Sequence, residues 1–440
     1  MRALVVAGTR PEFIKLAPVI KELRARSVDV VFVASGQHYD YELSRVFLEE
    51  FGLGEPDIWL TVGGKPDYEI LAETIKGVAR IVEEREPDIV IAEGDTSTCA
   101  GAALASVKTQ VPFAHVEAGL RSFDYTMPEE LNRRIADHCG LLLFAPTEQA
   151  VINLKCEGIP PDRIYLTGNT IVDALIELAP KAVKCSDEVC ARYDLSDFIL
   201  ITIHRAETVD RLDRLQKVVS GLKRLSRLGV QLAIPLHPRT RKRLIEFELW
   251  NTFAKIQNLK ILPPLGYIEF LALLLRCRFV ITDSGGIQEE TAILRIPCIT
   301  FRRNTERPET VREQVNVLVD HDPDVLFERS KNLLHKDRPR PRVPQQGQQT
   351  LYGDGQAAMR IAEVLIEKVD TLEYPSPLYL KLGAPMLRME EIKEKIRFKR
   401  LLLDVKAVEV FDNDGNPLPV CANIDSEILP GSLVKVMIEQ

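Results

Sequence analysis

Short runs of aliphatic and β-branched side chains alternate, from the first residues of the chain, with longer stretches whose apolar positions recur every three to four residues. Residues 3–7, 29–34, 88–92, 112–116 and 141–145 are nearly continuous apolar runs, the pattern of strands covered on both faces in a parallel sheet. Between them, 11–26, 41–51, 67–85, 97–108 and 128–138 carry helical periodicity, so strand and helix alternate. That order predicts a doubly wound, Rossmann-like half. After a less regular stretch near 175–197 the alternation restarts. Strands are expected at 198–203, 230–235, 259–262, 278–282 and 296–300, with helices at 210–227, 238–249, 267–275 and 286–294. Two successive units of this kind imply an α/β protein of two Rossmann-like domains with a cleft between them.

The pattern then changes. Residues 336–350 are basic, rich in proline and nearly devoid of large apolar side chains, as in a surface connection, and an amphipathic helix follows at about 355–369. Beyond Asp370 come a proline-containing stretch, a charged helix at 388–400 and alternating apolar residues around an Asn413-Asp414-Gly415-Asn416 turn, which predict a small β-rich appendage. The expected division is 1–175, 176–351, a helix at 352–370 returning to the first domain, and the appendage 371–440.

Composition narrows the possibilities. The 440 residues are 45% hydrophobic, enough to build two or three cores, and 57 basic against 64 acidic side chains leave a net charge of −7. A mildly acidic chain is no general nucleic-acid binder, so any anionic ligand must be met by a local cluster. The longest apolar runs, at 270–275 and 141–145, fall far short of the ~20 residues that span a bilayer, which excludes a transmembrane helix. The apolar part of the N-terminus is too short for a signal peptide, and a cytoplasmic protein is expected. The eight cysteines form no C-x-x-C pair, which argues against a structural zinc site and for reduced core thiols.

Ligands of open α/β sheets bind beyond the carboxyl ends of the strands, so polar clusters there carry most weight. After the first strand, Gly8 permits a tight turn, Pro11 suits the first helical position, and Arg10 and Lys15 place positive charge at a helix start: an anion site or a capped surface helix. Asp95 follows the strand 88–92 and reads as a helix cap when taken alone. Yet Glu117 ends the strand 112–116, and Glu129 and Arg133 share a helical face soon after. Three carboxylates, Asp95, Glu117 and Glu129, could thus converge above one sheet edge. There they would either raise one another's pKa values for proton transfer or be neutralised in an ion-pair network with Arg121, Arg133 and Arg134. The second half holds a strand–helix junction, Ser284-Gly285-Gly286, where backbone amides could approach a diphosphate, with Glu290 one turn on to hold ribose hydroxyls. His204, beside Arg205, and His237 end two neighbouring strands of that half and are candidates for contacts to a phosphate leaving group. Neither a P-loop motif nor a dinucleotide fingerprint occurs.

Taken in order, Gly8-Thr9-Arg10-Pro11-Glu12, Gly36-Gln37-His38, Gly94-Asp95-Thr96, His115 to Arg121, Pro128 to Arg133, Gly168-Asn169-Thr170, His204 to Glu207 and Asp283 to Glu290 resemble the non-hydrolysing UDP-N-acetylglucosamine 2-epimerases over about residues 1–370. The resemblance implies a glycosyltransferase-B-like fold with a UDP-sugar between the domains, the second of them binding UDP, and no cofactor or metal. It also implies a homodimer and inversion at C2, giving UDP-N-acetylmannosamine for surface polysaccharide, by elimination of UDP to a 2-acetamidoglucal and re-addition. Asp95, Glu117 and Glu129 would be the acid/base set and His204 would assist the departing diphosphate. Arg10, Ser284, Gly285, Gly286 and Glu290 would grip UDP, supported by Lys15, Arg133 and His237.

Two segments depart from the best-known members. Gln37-His38 continues as Tyr39-Asp40-Tyr41, unlike the enzymes activated by their own substrate, and the stretch Arg121 to Pro128 is similar to enzymes acting on UDP-2,3-diacetamido-glucuronic acid. A hydrolysing relative, a glycosyltransferase of the same fold and a non-enzymatic UDP-sugar-binding regulator are the competing readings.

Overall fold

The computed structural model describes residues 1–37, 46, 48–337 and 340–372, and the backbone of three strands beyond them. The chain forms two compact units, Met1–Tyr374 and Pro375–Gln440.

In the first unit, β1 (Arg2–Ala7) is apolar from Ala3 to Ala7 and completely buried there, so both of its faces must be covered by other elements. It lies inside a seven-stranded parallel sheet with β2 (Asp29–Ala34), β3 (Ile58–Trp59), β4 (Ile89–Glu93), β5 (Phe113–Val116), β6 (Leu142–Ala145) and β7 (Ile164–Leu166). The strand order is β3-β2-β1-β4-β5-β6-β7. A second parallel sheet holds β8 (Phe198–Thr202), β9 (Gln231–Pro235), β10 (Leu259–Leu262), β11 (Val280–Thr282), β12 (Cys298–Thr300) and β13 (Asn316–Leu318) in the order β10-β9-β8-β11-β12-β13. Strand order reverses between β1 and β4 and again between β8 and β11, and these two switch points are where an open α/β sheet leaves a crevice.

The helices that frame the site are α1 (Arg10–Ala25), α2 (Ser97–Lys108), α3 (Pro128–Cys139), α4 (Thr170–Arg192), α5 (Tyr267–Arg276), α6 (Gly285–Leu294) and α7 (Ala357–Lys368). The α4 helix corrects the expectation of a less regular stretch near 175–197. Its buried residues Leu175, Leu178, Ala182, Val189 and Cys190 keep helical spacing, but Pro180 and the charged positions between them obscure the period in the sequence. It packs on α1 and on α5, so Phe13 and Leu16, Leu175 and Leu178, and Phe270 and Leu271 belong to one continuous core drawn from both sheets' helices. A separate core under the second sheet is built from residues between Ile199 and Leu326. The α7 helix packs on α1 and α4, and the described residues of the segment before it, 336–337 and 340–356, run without helix or strand, the Arg342 N–H donating to the Leu294 carbonyl (3.0 Å).

Strands β3, β7 and β13 were not anticipated. Each is only two or three residues long and mostly half-buried, so none shows an apolar run. The expected helices at 41–51 and 388–400 lie largely or wholly outside the described residues, as does His38. In the second unit, β14 (Ala407–Phe411) pairs antiparallel with β15 (Pro417–Leu418) and with β16 (Leu433–Met437), in keeping with the β-rich character read from the sequence. Among the described residues no helix is long and apolar enough to cross a membrane. Cys99 and Cys298 are buried free thiols, and Cys190 and Cys277 are buried as well.

Close packing at the end of β1 explains the glycine there. A Cβ on Gly8 would clash with the hydroxyls of Ser35 and Thr98, which are themselves hydrogen bonded to each other (2.7 Å) and pin the start of α2 against the sheet. The Gly8→Ala variant should therefore lose about 1–3 kcal/mol of stability by overpacking. A Cβ on Gly286 meets nothing within 4 Å, so Gly286→Ala should change stability by no more than about 0.5 kcal/mol. Thermal denaturation of both variants checks this, and an unchanged midpoint for Gly8→Ala would contradict it.

Candidate active site

At the first switch point, α1 is capped by its own third residue. Glu12 turns back to accept from the N–H groups of Gly8 (2.6 Å) and Thr9 (2.7 Å), and its other oxygen accepts from the Thr96 hydroxyl (2.5 Å). The loops after β1 and β4 are thereby joined. Burial pushes the Glu12 carboxyl up to about 7 against these donors. One turn along α1, the buried Lys15 ammonium lies 3.4 Å from Glu93 at the end of β4 and 3.0 Å from Glu289 on α6, and it contacts Glu117 beyond β5.

Glu117 stands in the left-handed region, with φ of 68°, at a turn whose base is fixed by His115 between Asp137 (2.7 Å) and the Gly94 carbonyl (2.8 Å). One carboxylate oxygen accepts from Lys15 and from the Asn169 amide (2.9 Å), the other from Arg307 (3.0 Å). Arg307 also meets Glu289 (2.6 Å) and Glu306 (3.2 Å). Burial opposes ionisation of Glu117, but Lys15 and Arg307 outweigh it and hold the carboxyl below its usual range.

Asp95 receives two nitrogens of Arg133 on one oxygen, at 3.1 and 2.7 Å, and its backbone carbonyl accepts from Asn132 (3.0 Å). Glu129, about one-third exposed at 35%, faces Arg205 at 3.5 Å, and Arg205 in turn meets Glu306 at 3.1 Å. Glu129 and Glu117 thus lie in one chain of alternating charge through Arg205, Glu306 and Arg307, whereas Asp95 is paired with Arg133 and feels Arg205 and Arg307 without pairing with them. Asp95 is half-buried, and although desolvation opposes its charge, Arg133 and Arg205 hold it below its ordinary value. Of the two alternatives, ion pairing rather than a mutual rise in pKa therefore holds for Asp95 and Glu117, because each has cations of its own. Of the arginines that could neutralise the three, only Arg133 does so. Arg121 pairs with Asp137 (2.7 Å) and Glu157, and Arg134 pairs with Glu130 (3.2 Å) and Glu157 (2.6 Å).

The second switch point repeats the device. Buried Asp283 accepts from the backbone N–H groups of His204 (3.1 Å) and Arg205 (2.9 Å), tying the loops after β8 and β11 together. The His204 side chain stays 38% exposed, with Nδ1 3.5 Å from Asp283 and its ring centroid 5.4 Å from that of His237. Ser284 occupies the cap position of α6 without capping it by its side chain. Gly285 lies against Glu306 and Arg307, whereas Gly286 borders open space. Glu290 is buried beside Arg10 and Tyr267, and burial lifts it to about 7 although Arg10 opposes the rise. Arg10 itself lies over the Phe270 ring at 5.4 Å.

Six residues of this arrangement were not singled out from the sequence: Glu93, Arg205, Glu289, Arg302, Glu306 and Arg307. Arg302 is fully buried and meets Glu207 and Glu306, both at 2.9 Å. A signal existed for the last three, because residues 301–307 follow β12 at its carboxyl end, where the rule used for the other strands applies. A cavity of about 510 Å³, lined in part by Thr147, Gln149, Leu166, Arg312, Leu351 and Arg360, holds none of the predicted site residues.

Known proteins resemble the chain over most of its length. The family model described as UDP-N-acetylglucosamine 2-epimerase matches residues 21–366. The UDP-N-acetylglucosamine 2-epimerase of Methanocaldococcus jannaschii is 39% identical over 370 residues, 83% of this chain and 99% of that protein. The UDP-2,3-diacetamido-2,3-dideoxy-D-glucuronate 2-epimerase of Pseudomonas aeruginosa is 36% identical over 368 residues, again 83% of this chain and 99% of that one. The crystal structure of the M. jannaschii UDP-GlcNAc 2-epimerase in complex with UDP-GlcNAc and UDP superposes with a TM-score of 0.78, covering 83% of this chain and all of that one at 39% identity. That of the Neisseria meningitidis enzyme bound to UDP-GlcNAc superposes with a TM-score of 0.75 at 32% identity, with the same coverage.

The raised carboxyl of Glu290 has a measurable consequence. A carboxyl at 4.5 when unfolded and about 7 when folded binds more protons in the folded state between those values, so its contribution to stability falls as pH rises through that window. Glu290→Gln keeps the neutral shape. It should match the wild type near pH 5 and exceed it near pH 8 by up to about 3 kcal/mol, at ~1.4 kcal/mol per unit of pKa. Denaturant titrations at the two pH values check this, and a difference that does not grow with pH would contradict it.

Proposed function

The chain belongs to the UDP-N-acetylglucosamine 2-epimerase family, and on that premise we propose that it interconverts UDP-N-acetylglucosamine and UDP-N-acetylmannosamine by eliminating UDP to a 2-acetamidoglucal and adding it back. The observation that carries this reading is the union of two switch points. Ionised carboxylates gather at the first, the Ser284-Gly285-Gly286 helix start lies at the second, and Lys15–Glu289 and Arg307–Glu117 join them.

A C2 proton is not acidic enough for simple removal and return, so the leaving group must depart in concert with proton transfer. Glu117, held ionised by Lys15 and Arg307, is suited to accept a proton on a first encounter. Asp95 and Glu129, each facing an arginine, complete the set needed to return a proton on the other face. His204 is exposed enough to touch the diphosphate, next to His237, and both belong to the half that would bind UDP. The amides at the start of α6 with Ser284, together with Arg10 and Glu290, would grip the nucleotide, supported by Lys15 and Arg133. In this reading residues 1–175 carry the proton chemistry, 176–351 bind UDP, 352–370 return to the first domain and 371–440 are an appendage. A homodimer and a cytoplasmic setting belong to the same reading.

The P. aeruginosa relative and the segment from Arg121 to Pro128 support a second substrate, UDP-2,3-diacetamido-glucuronic acid. Proton NMR in deuterated water separates the possibilities. UDP-N-acetylglucosamine should give a mixture of both epimers, deuterated at C2. Free N-acetylmannosamine and UDP would identify a hydrolysing enzyme, and turnover of the diacetamido-uronate alone would identify the second substrate. Glu117→Gln should lower turnover by about 100-fold or more, the scale of acid/base catalysis, with UDP affinity near that of the wild type. Ser284→Ala and Glu290→Ala should instead weaken UDP binding by calorimetry. Near-normal turnover in Glu117→Gln would remove that residue from the mechanism.

A further inference from the structure

The Gly168-Asn169-Thr170 segment belongs to the motif series of the sequence, yet the mechanism above gives it no part. Asn169 is buried, and its side chain has two partners. Its Oδ1 accepts from the Ile171 N–H (3.0 Å), capping the 23-residue helix α4, while its Nδ2 lies 2.9 Å from the Glu117 carboxylate. A backbone N–H can only donate, so Oδ1 must face Ile171, and the NH₂ group is left for Glu117, whose ionised oxygens can only accept. The cap therefore fixes which end of the amide meets the carboxylate. The backbone is pinned as well: the Asn169 N–H donates to the carbonyl of the fully buried Tyr352 (2.8 Å), across a close approach at Gly168, where φ is +85°.

We infer that Asn169 is a positioning residue for Glu117, donating to its ionised carboxylate in an orientation set by the cap of α4. The inference rests on the proposed proton transfer by Glu117. Asn169 shares one carboxylate oxygen with Lys15, while Arg307 holds the other, so the three donors fix the plane of the carboxylate. The position also brings Glu117 to the positive end of a long helix, where a carboxylate is favoured. The other charged groups about Glu117 are Glu93 and Glu289, which share its cations, and Asp95 at longer range.

Asn169→Asp tests this cleanly, because aspartate caps a helix as well as asparagine but cannot donate when ionised. It places a second carboxylate against Glu117, and the pair must share a proton. The kcat should fall about tenfold or more with KM within about twofold, and the acidic limb of the kcat profile should move up by about one pH unit. Asn169→Ser keeps a capping oxygen but lacks a donor long enough to reach Glu117, and it should lower kcat by about tenfold, the scale of misplacing an acid/base group. It decides the matter should Asn169→Asp lose its native thermal transition. If Asn169 only caps α4, both variants keep the wild-type kcat, KM and pH profile, which would overturn the inference. Glu117→Gln is measured alongside. Retained turnover there defeats the role of Glu117 and the inference with it, whereas an inactive Glu117→Gln beside a wild-type-like Asn169→Asp defeats the positioning role alone.

Discussion

Everything at the site depends on two buried cations, Lys15 and Arg307, that share three buried carboxylates, Glu93, Glu117 and Glu289. Charges removed from water are costly unless each finds partners with good geometry, and Arg307 also meets a fourth buried carboxylate, Glu306, so each cation is divided among several carboxylates. The structure resolves this unevenly. Glu117 touches both cations and sits below its ordinary pKa, whereas burial pushes Glu93 and Glu289 up. Glu117 is thus kept ionised at the expense of its neighbours. Removing either cation would leave buried carboxylates unpaired, which is why this cluster governs packing as well as chemistry.

The same pairs bind the two halves. Lys15 and Glu117 follow strands of the first sheet, Glu289 and Arg307 belong to the second, and the ion pairs cross between them on the carboxyl side of both. Behind the site the halves are joined differently, by the apolar contact of α4 with α1 and α5. One side of the joint is apolar and indifferent to ligand charge. The other consists of ion pairs, Lys15–Glu289 and Arg307–Glu117, whose strength depends on the charges about them.

Much of this was legible from the sequence, for a physical reason. Strands buried on both faces must be apolar, so β1, β2, β4, β5, β6, β8, β9, β11 and β12 stand out, and the strand-end rule then leads to Asp95, Glu117, His204 and Ser284. Half-buried strands of two or three residues leave no such trace, and β3, β7 and β13 went unseen. The electrostatics were less accessible. Crowded carboxylates alone would raise one another's pKa values, but Lys15 lies 102 residues from Glu117 and Arg307 lies 190 residues away. No local spacing reveals a partner at that distance. The charged run 301–307 was passed over although it follows β12, which the apolar run at 296–300 marks in the sequence.

The backbone at Glu117 shows how far the fold goes to hold that carboxylate. A non-glycine residue at φ of 68° is strained by about 1 kcal/mol or more, and glycine would adopt the turn without that cost. Gly119, two residues on, does occupy a left-handed position, with φ of 87°, and a Cβ there would press on the backbone of Ala150, so this segment uses glycine where only space matters. At Glu117 the side chain is kept despite the strain. The left-handed turn brings its carboxylate to Lys15, Asn169 and Arg307, from α1, the cap of α4 and the loop after β12. Those three partners repay the backbone strain and set the carboxylate's protonation state at once, so stability and proton chemistry at this site are one arrangement of the same atoms.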